Sequence, residues 1–143
     1  MHFQLDPRLE KDTFLVGELP LCRVLLMDAA NFPWIILVPR ISNIKEIFQL
    51  NSEQKVLYFS ESNFLMKGMS EIYSAHKMNI ASLGNLVPQF HTHIIVRYKH
   101  DDAWPSPVWS FNGMTKYKGN KSKLEIDKIS NLVDDYARGD KHE

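Results

Sequence analysis

The segment PQFHTHIIVR, Pro88–Arg97, sets two histidines one residue apart and puts a glutamine where the same spacing has a third polar position. Thr92, Ile94, Ile95 and Val96 are β-branched, so a strand over Phe90–Tyr98 is expected. Side chains on a strand alternate between faces. Gln89, His91 and His93 then share one face, at steps of roughly 7 Å. Phe90, Thr92, Ile94 and Val96 share the other, which is mainly apolar and turned to the core. Three readings of the polar row compete: side chains on a solvated strand face, ligands of a metal, or two imidazoles that divide labour. In the last, one ring attacks or takes a proton while the other donates a hydrogen bond.

The metal reading needs a shell completed by His76, His100, Asp101 or Asp102. Against it, Ile95 stands where an H-x-H-x-D site has its carboxylate. Arg97 and Tyr98 stand where a longer H-x-H site has its glutamate, and a cation is a poor neighbour for a dication. The nucleophilic reading needs donors for charge developing on phosphorus-bound or acyl oxygens. Gly84 and Asn85, in the turn just before the strand, are the candidates for backbone and amide N–H groups.

Outward from this segment, KMNIASL (Lys77–Leu83) reads as a neighbouring strand ended by Gly84–Asn85. CRVLLMD (Cys22–Asp28) and WIILVP (Trp34–Pro39) read as an antiparallel pair around the turn-forming Asn31 and Pro33. Ser42, Asn43 and Glu46 have capping-box spacing and predict a short helix. Asn51 and Gln54 repeat that spacing ahead of Leu57, Phe64, Leu65, Met69 and Ile72, so a long helix follows whose Met and aromatic residues pack the core. KHDDAWPSPVWSFNG is irregular. Ser122 and Glu125 predict the start of a last helix with Ile126, Ile129, Val133 and Tyr136 on one stripe. The order of elements indicates one α+β domain on an antiparallel sheet.

The 143 residues suffice for one domain with a sizeable core. Seventeen basic residues balance seventeen acidic ones, so bulk charge gives no reason to expect nucleic acid or an anionic membrane as partner. Cys22, the single cysteine, is expected in the core of a protein from a reducing compartment. Asp6, Pro7, Glu10 and Asp12 interrupt the N-terminus where a signal peptide is apolar, and no run approaches the ~20 apolar residues of a membrane span. The expected location is cytoplasmic.

Gln89-Phe90-His91-Thr92-His93-Ile94-Ile95 resembles the H-φ-H-φ-H-φ-φ signature of the histidine triad (HIT) family, with Gln in the first His position. LPLCRVLLMDAANFPWIILVPR resembles the family's N-terminal hairpin. Gly84–His93 and Ala103–Trp109 resemble a bacterial branch with G-N-x-V-P-Q-x-H-x-H and A-W-P-x-P-V-W. The resemblance implies a HIT-like sheet of about five antiparallel strands with one long and one short helix. It also implies a HIT domain over residues 1–110 and a homodimer; residues 111–143 form an extension whose helix, about 122–138, packs on the same domain.

By the same resemblance His91 is the nucleophile that is nucleotidylated at the α-phosphate, and His93 contacts the phosphate or leaving group. Asp28 binds ribose hydroxyls and Asn79 the phosphate region; Asn85 joins them from the loop. The implied activity is cleavage of dinucleoside polyphosphates or nucleoside phosphoramidates, with a purine nucleotide as substrate. No cofactor is bound by the protein, and Mg2+ enters only with a polyphosphate. Two departures stand out. Gln89, the third residue of the catalytic row, keeps an amide donor and acceptor but cannot titrate near neutral pH, so a changed rate, pH profile or leaving-group preference is expected. Leu86 occupies a place where the family often has a Ser or Thr donor. The alternatives are a nucleotide-binding sensor with little catalysis and an H-x-H metal-dependent enzyme. Trp104 and Trp109 pack on the sheet or flank the nucleotide pocket, and Arg97 pairs with Asp101 or Asp102 or reaches a phosphate.

Overall fold

A computed structural model describes residues 2–139. After a first helix, α1 (Pro7–Asp12), come β1 (Thr13–Glu18), β2 (Cys22–Met27), β3 (Trp34–Pro39), α2 (Ser52–Ile72), β4 (Lys77–Ala81), β5 (Thr92–Arg97) and α3 (Lys121–Ala137). The five strands form one antiparallel sheet in the order β1-β2-β3-β5-β4. The α+β, HIT-like expectation is met, and β5 stands between β3 and the edge strand β4.

The sheet is covered on both faces. Val24, Leu26, Ile35, Leu37, Ile94 and Val96 meet α2 and α3 on one face. Leu25, Trp34, Ile36, Val38 and Ile95 meet Leu9 of α1, Phe32 and Val108 on the other. All six residues of β3 and all six of β5 are therefore buried, which is why WIILVP is a continuous apolar run where a half-solvated strand alternates. Gly68 of α2 lets α3 approach closely: a Cβ there would lie 2.7 Å from a Leu132 methyl. Glu61, fully buried on α2, accepts the backbone N–H groups of Leu21 and Cys22 at 2.7 and 2.9 Å and ties the helix to the start of β2.

Arg97 at the end of β5 is 1% exposed. Its guanidinium meets the Asp101 carboxylate twice (2.8 and 3.1 Å), the Ser106 carbonyl (2.8 Å) and the Asn79 amide oxygen (2.9 Å). Burial raises the Asp101 carboxyl, but Arg97 and the backbone N–H groups of Tyr98, Ala103 and Trp104 outweigh it and hold the pKa down to about 2. The irregular segment after β5 is thus clamped over the second face, and Arg97 belongs to structure rather than to a phosphate. Asp102 pairs instead with Asn31.

Two predicted helix caps are corrected. No helix begins at Asn43, which is left-handed (φ 62°). The Ile44 carbonyl accepts the Phe90 N–H, so the segment runs extended beside the histidine loop and only a 3-10 turn forms, over Ile47–Gln49. The last helix starts at Lys121 after Asn120, leaving Ser122 inside it; Glu125 accepts the Tyr73 hydroxyl instead of closing a cap. The Asn51–Gln54 capping box forms as expected, with both bonds at 2.8 Å.

Candidate active site

β5 lifts the histidines into the second face at the point where β3 and β4 flank it: Ile36 and Ala81 are the register partners of His93. Phe90, Thr92, Ile94 and Val96 turn to the helical side as expected. His91 and His93 are only 6% and 7% exposed. A solvated strand face is therefore excluded.

Each ring is held through Nδ1, and the two partners demand opposite proton positions. His91 Nδ1 lies 2.7 Å from the Gln89 carbonyl oxygen. A carbonyl only accepts, so Nδ1 carries a proton, and in the neutral ring Nε2 holds the lone pair. The Trp34 indole N–H, which only donates, lies 3.0 Å from His93 Nδ1. That nitrogen must accept, so the His93 proton sits on Nε2. Burial, and next the neighbouring His91, push the His93 pKa down to about 4. The ring is neutral at pH 7 and its tautomer is fixed. The two imidazoles stand 5.0 Å apart between centroids at 71°: one offers a nucleophilic nitrogen and the other an N–H donor.

Trp109 packs edge-on to His93 (4.9 Å) and to Trp34 (5.6 Å). With Leu9, Met27, Ile36 and Val87 it forms the apolar wall of a cavity of about 400 Å3 whose polar lining includes Asp12, Asn85, His91 and His93. Small-molecule sites run to about 300–1,000 Å3, so the cavity is large enough for a small-molecule ligand. Gly84, left-handed at φ 74°, makes the turn that brings Asn85 to this cavity.

The Gln89 side chain is held by the N-terminal segment. Its Oε1 accepts the Asp6 N–H at 2.9 Å and its Nε2 donates to the Gln4 carbonyl at 2.8 Å. Arg8, paired with Asp6 at 2.9 Å, donates to the Leu86 carbonyl at 2.8 Å. The N-terminal segment is thereby strapped across the histidine loop, and Leu9 becomes a cavity wall. Asp28 accepts the Tyr117 N–H at 2.9 Å, and Asn79 takes the Arg97 guanidinium. Neither lines the cavity, although Met27 beside Asp28 does. Trp104 packs on His76 and Arg97.

Trp34, Leu9 and Asp12 escaped the sequence reading because they reach the site from other elements. For Trp34 a signal existed: a tryptophan opening a buried strand must find an acceptor for its N–H, and the strand paired with it carries the histidines. Among the described residues, no three His, Cys, Asp or Glu side chains converge as a metal site.

A family model for the HIT domain matches residues 8–100. A histidine triad protein of Marinobacter aquaeolei VT8 is 46% identical, with a TM-score of 0.90 over 94% of this chain and 98% of that one. One from Bradyrhizobium japonicum is 38% identical, TM-score 0.90, over 93% and 99%. A third, from Sinorhizobium meliloti 1021, is 37% identical, TM-score 0.88, over 91% and 96%. A search of curated proteins finds no significant match. The buried H-x-H pair at the head of β5, the five-stranded sheet and these likenesses agree: the chain belongs to the histidine triad family.

Proposed function

We propose that the protein is a nucleotide hydrolase or nucleotidyl transferase that cleaves at the α-phosphorus of a purine nucleotide, with dinucleoside polyphosphates or nucleoside phosphoramidates as substrates. The complementary tautomers of His91 and His93 carry this reading. His91 Nε2 attacks phosphorus, forming an N–P bond as the bond to the leaving group breaks; the positive charge on the ring is shared through Nδ1–H with the Gln89 carbonyl. His93 Nε2–H and the loop around Asn85 donate to the phosphoryl oxygens as charge grows on them. Water then displaces His91 and releases the nucleoside monophosphate.

In this reading the base occupies the apolar cavity and the ribose extends past Met27 toward Asp28, which lies outside the cavity lining and accepts from the ribose hydroxyls. Asn79 acts only through Arg97. Gln89 holds the protein rather than the phosphate. In this reading the protein holds no metal of its own: with Trp34 on Nδ1 and the proton on Nε2, His93 offers a cation no lone pair, and the lone pair of His91 serves the attack. Mg2+ accompanies a polyphosphate as its counter-ion. A second copy of the chain is the proposed partner, along the edge strand β4 with its exposed Ile80 and the exposed Val56 and Phe59 of α2; light scattering at a mass of two chains tests it.

The test of the activity is trapping with a dinucleoside polyphosphate labelled at the α-phosphate. Acid-labile, base-stable label on the protein that vanishes in His91→Asn supports the enzyme. Tight nucleotide binding with no label and no turnover above that variant leaves a nucleotide sensor, the reading favoured by the commitment of Gln89 to the backbone of Gln4 and Asp6.

A further inference from the structure

His91 borders a second space. A recess of about 130 Å3 is lined by Lys45, Glu46, Ser82, Gly84, Phe90 and His91, so His91 and Gly84 are shared with the larger cavity. The recess holds about four waters' worth of volume, too little for a nucleoside and enough for a phosphate group. Lys45 and Glu46 bring opposite charges to it, so net charge does not select its occupant. A directional donor is needed, and Ser82 supplies one.

Ser82 ends a chain of three hydroxyls. Tyr58, buried on α2, lies 2.8 Å from Thr92 Oγ1, which lies 2.9 Å from Ser82 Oγ. The Tyr58 hydroxyl stands close to both Thr92 and Ser82, and burial, the largest influence, raises its pKa and keeps its proton in place. When Tyr58 donates to Thr92, the Thr92 hydroxyl can in turn donate to Ser82. With Ser82 Oγ accepting within the cluster, its rotatable O–H can donate to an occupant of the recess that Ser82 lines. The register makes this possible, because Thr92 lies between the two histidines and turns its hydroxyl to the helical side while they turn to the other.

We propose that this recess receives the phosphate group of the leaving portion of the substrate and that Ser82 is a hydrogen-bond donor to it, aligned by Thr92 and Tyr58 as positioning residues. The proposal rests on the α-phosphorus reading above and deepens it. When His91 Nε2 forms its bond to phosphorus, the bridging P–O bond breaks and its electron pair passes to the bridging oxygen. Ser82 donates a hydrogen bond to that oxygen and keeps its proton; the leaving phosphate departs as an anion. Ser82 thus does from the end of β4 what Leu86, exposed and apolar, does not do from the loop.

The experiment compares two substrates of one nucleoside, a dinucleoside polyphosphate and a 5′-(p-nitrophenyl) monophosphate ester, whose nitrophenolate leaves without a donor. Ser82→Ala is expected to lower kcat at least about tenfold with the first and less than about twofold with the second. Ser82→Thr restores the rate, and Thr92→Val repeats the Ser82→Ala pattern with an unchanged melting temperature in Ser82→Ala. Equal losses on both substrates, or none, overturn the proposal while leaving His91-dependent turnover intact. If neither substrate is turned over in a His91-dependent way, the enzymatic reading fails first. The recess is then judged by inorganic pyrophosphate: amide shifts at Ser82 and Leu83 that weaken in Ser82→Ala support it, and no binding overturns it.

Discussion

The indole nitrogen of Trp34 and Nδ1 of His93, 59 residues apart in the chain, meet at 3.0 Å and decide which face of the imidazole carries the proton. Nothing on β5 itself imposes this; the bond exists because β3 pairs with β5 and both side chains are sealed under Trp109.

Trp34→Phe removes the donor and keeps a ring. The orphaned Nδ1 is buried, so stability falls by about 1–3 kcal/mol. His93 also becomes free to exchange tautomers. Nitrogen chemical shifts of the His93 ring will move from an Nε2-protonated pattern to a mixture, and turnover will drop more than the affinity for nucleotide.

Acid should weaken the fold through His93. Its folded-state pKa of about 4 lies below the ordinary 6.5. Between those values the unfolded chain binds a proton that the native chain refuses, so stability rises with pH across the window and is lost as pH falls through it. Below about 4 both states hold the proton and the loss is complete. The full effect is at most about 3 kcal/mol. Urea unfolding at pH 7 and pH 4 measures it, and His93→Gln, which offers the indole an amide acceptor, should show a flatter difference.

Gln89→Ala cuts both bonds to the N-terminal segment. We expect faster amide exchange at Asp6 and earlier proteolysis within residues 2–12, at a cost of about 1–2 kcal/mol for two partly exposed hydrogen bonds. Gln89→His, which restores the family's residue type, should loosen the same segment; if turnover then stays within a few fold, position 89 serves the strap and not the phosphate. A large gain in rate would contradict that.

Arg97→Met leaves the Asp101 carboxylate, 4% exposed, without its cation. Breaking a buried pair in this way costs about 3–5 kcal/mol, and the loss should appear as a lower melting temperature with exchange concentrated in residues 98–107. If only nucleotide affinity changed, Arg97 would be a ligand after all.

Most of the sheet was legible because β2, β3 and β5 are dense in branched residues, and α2 because Asn51 and Gln54 cap it. β1 was not. Gly17 reads as a breaker, and a register shift between Leu15 and Gly17 spoils the alternation of TFLVGE. α1 has six residues, too few for any period, although Asp6 followed by Pro7 is a helix start. The site shows the same division. His91 and His93 announce themselves by spacing within one strand, whereas Trp34, Leu9 and Ser82 enter through strand register and long-range docking, which no local pattern encodes. Gln89 was visible as a residue, but its partners lie at the other end of the chain.

That distance has a consequence in time. The bonds joining Gln4, Asp6 and Arg8 to residues 86–89 close loops of 78 to 85 residues, and contacts so remote in the chain are slow to form. Residues 4–8 are therefore expected to dock after β5 has joined the sheet. Leu9, which those bonds hold in place, is expected to close the cavity wall only after β5 is in register, so the cavity is completed by one of the most long-range contacts of the fold.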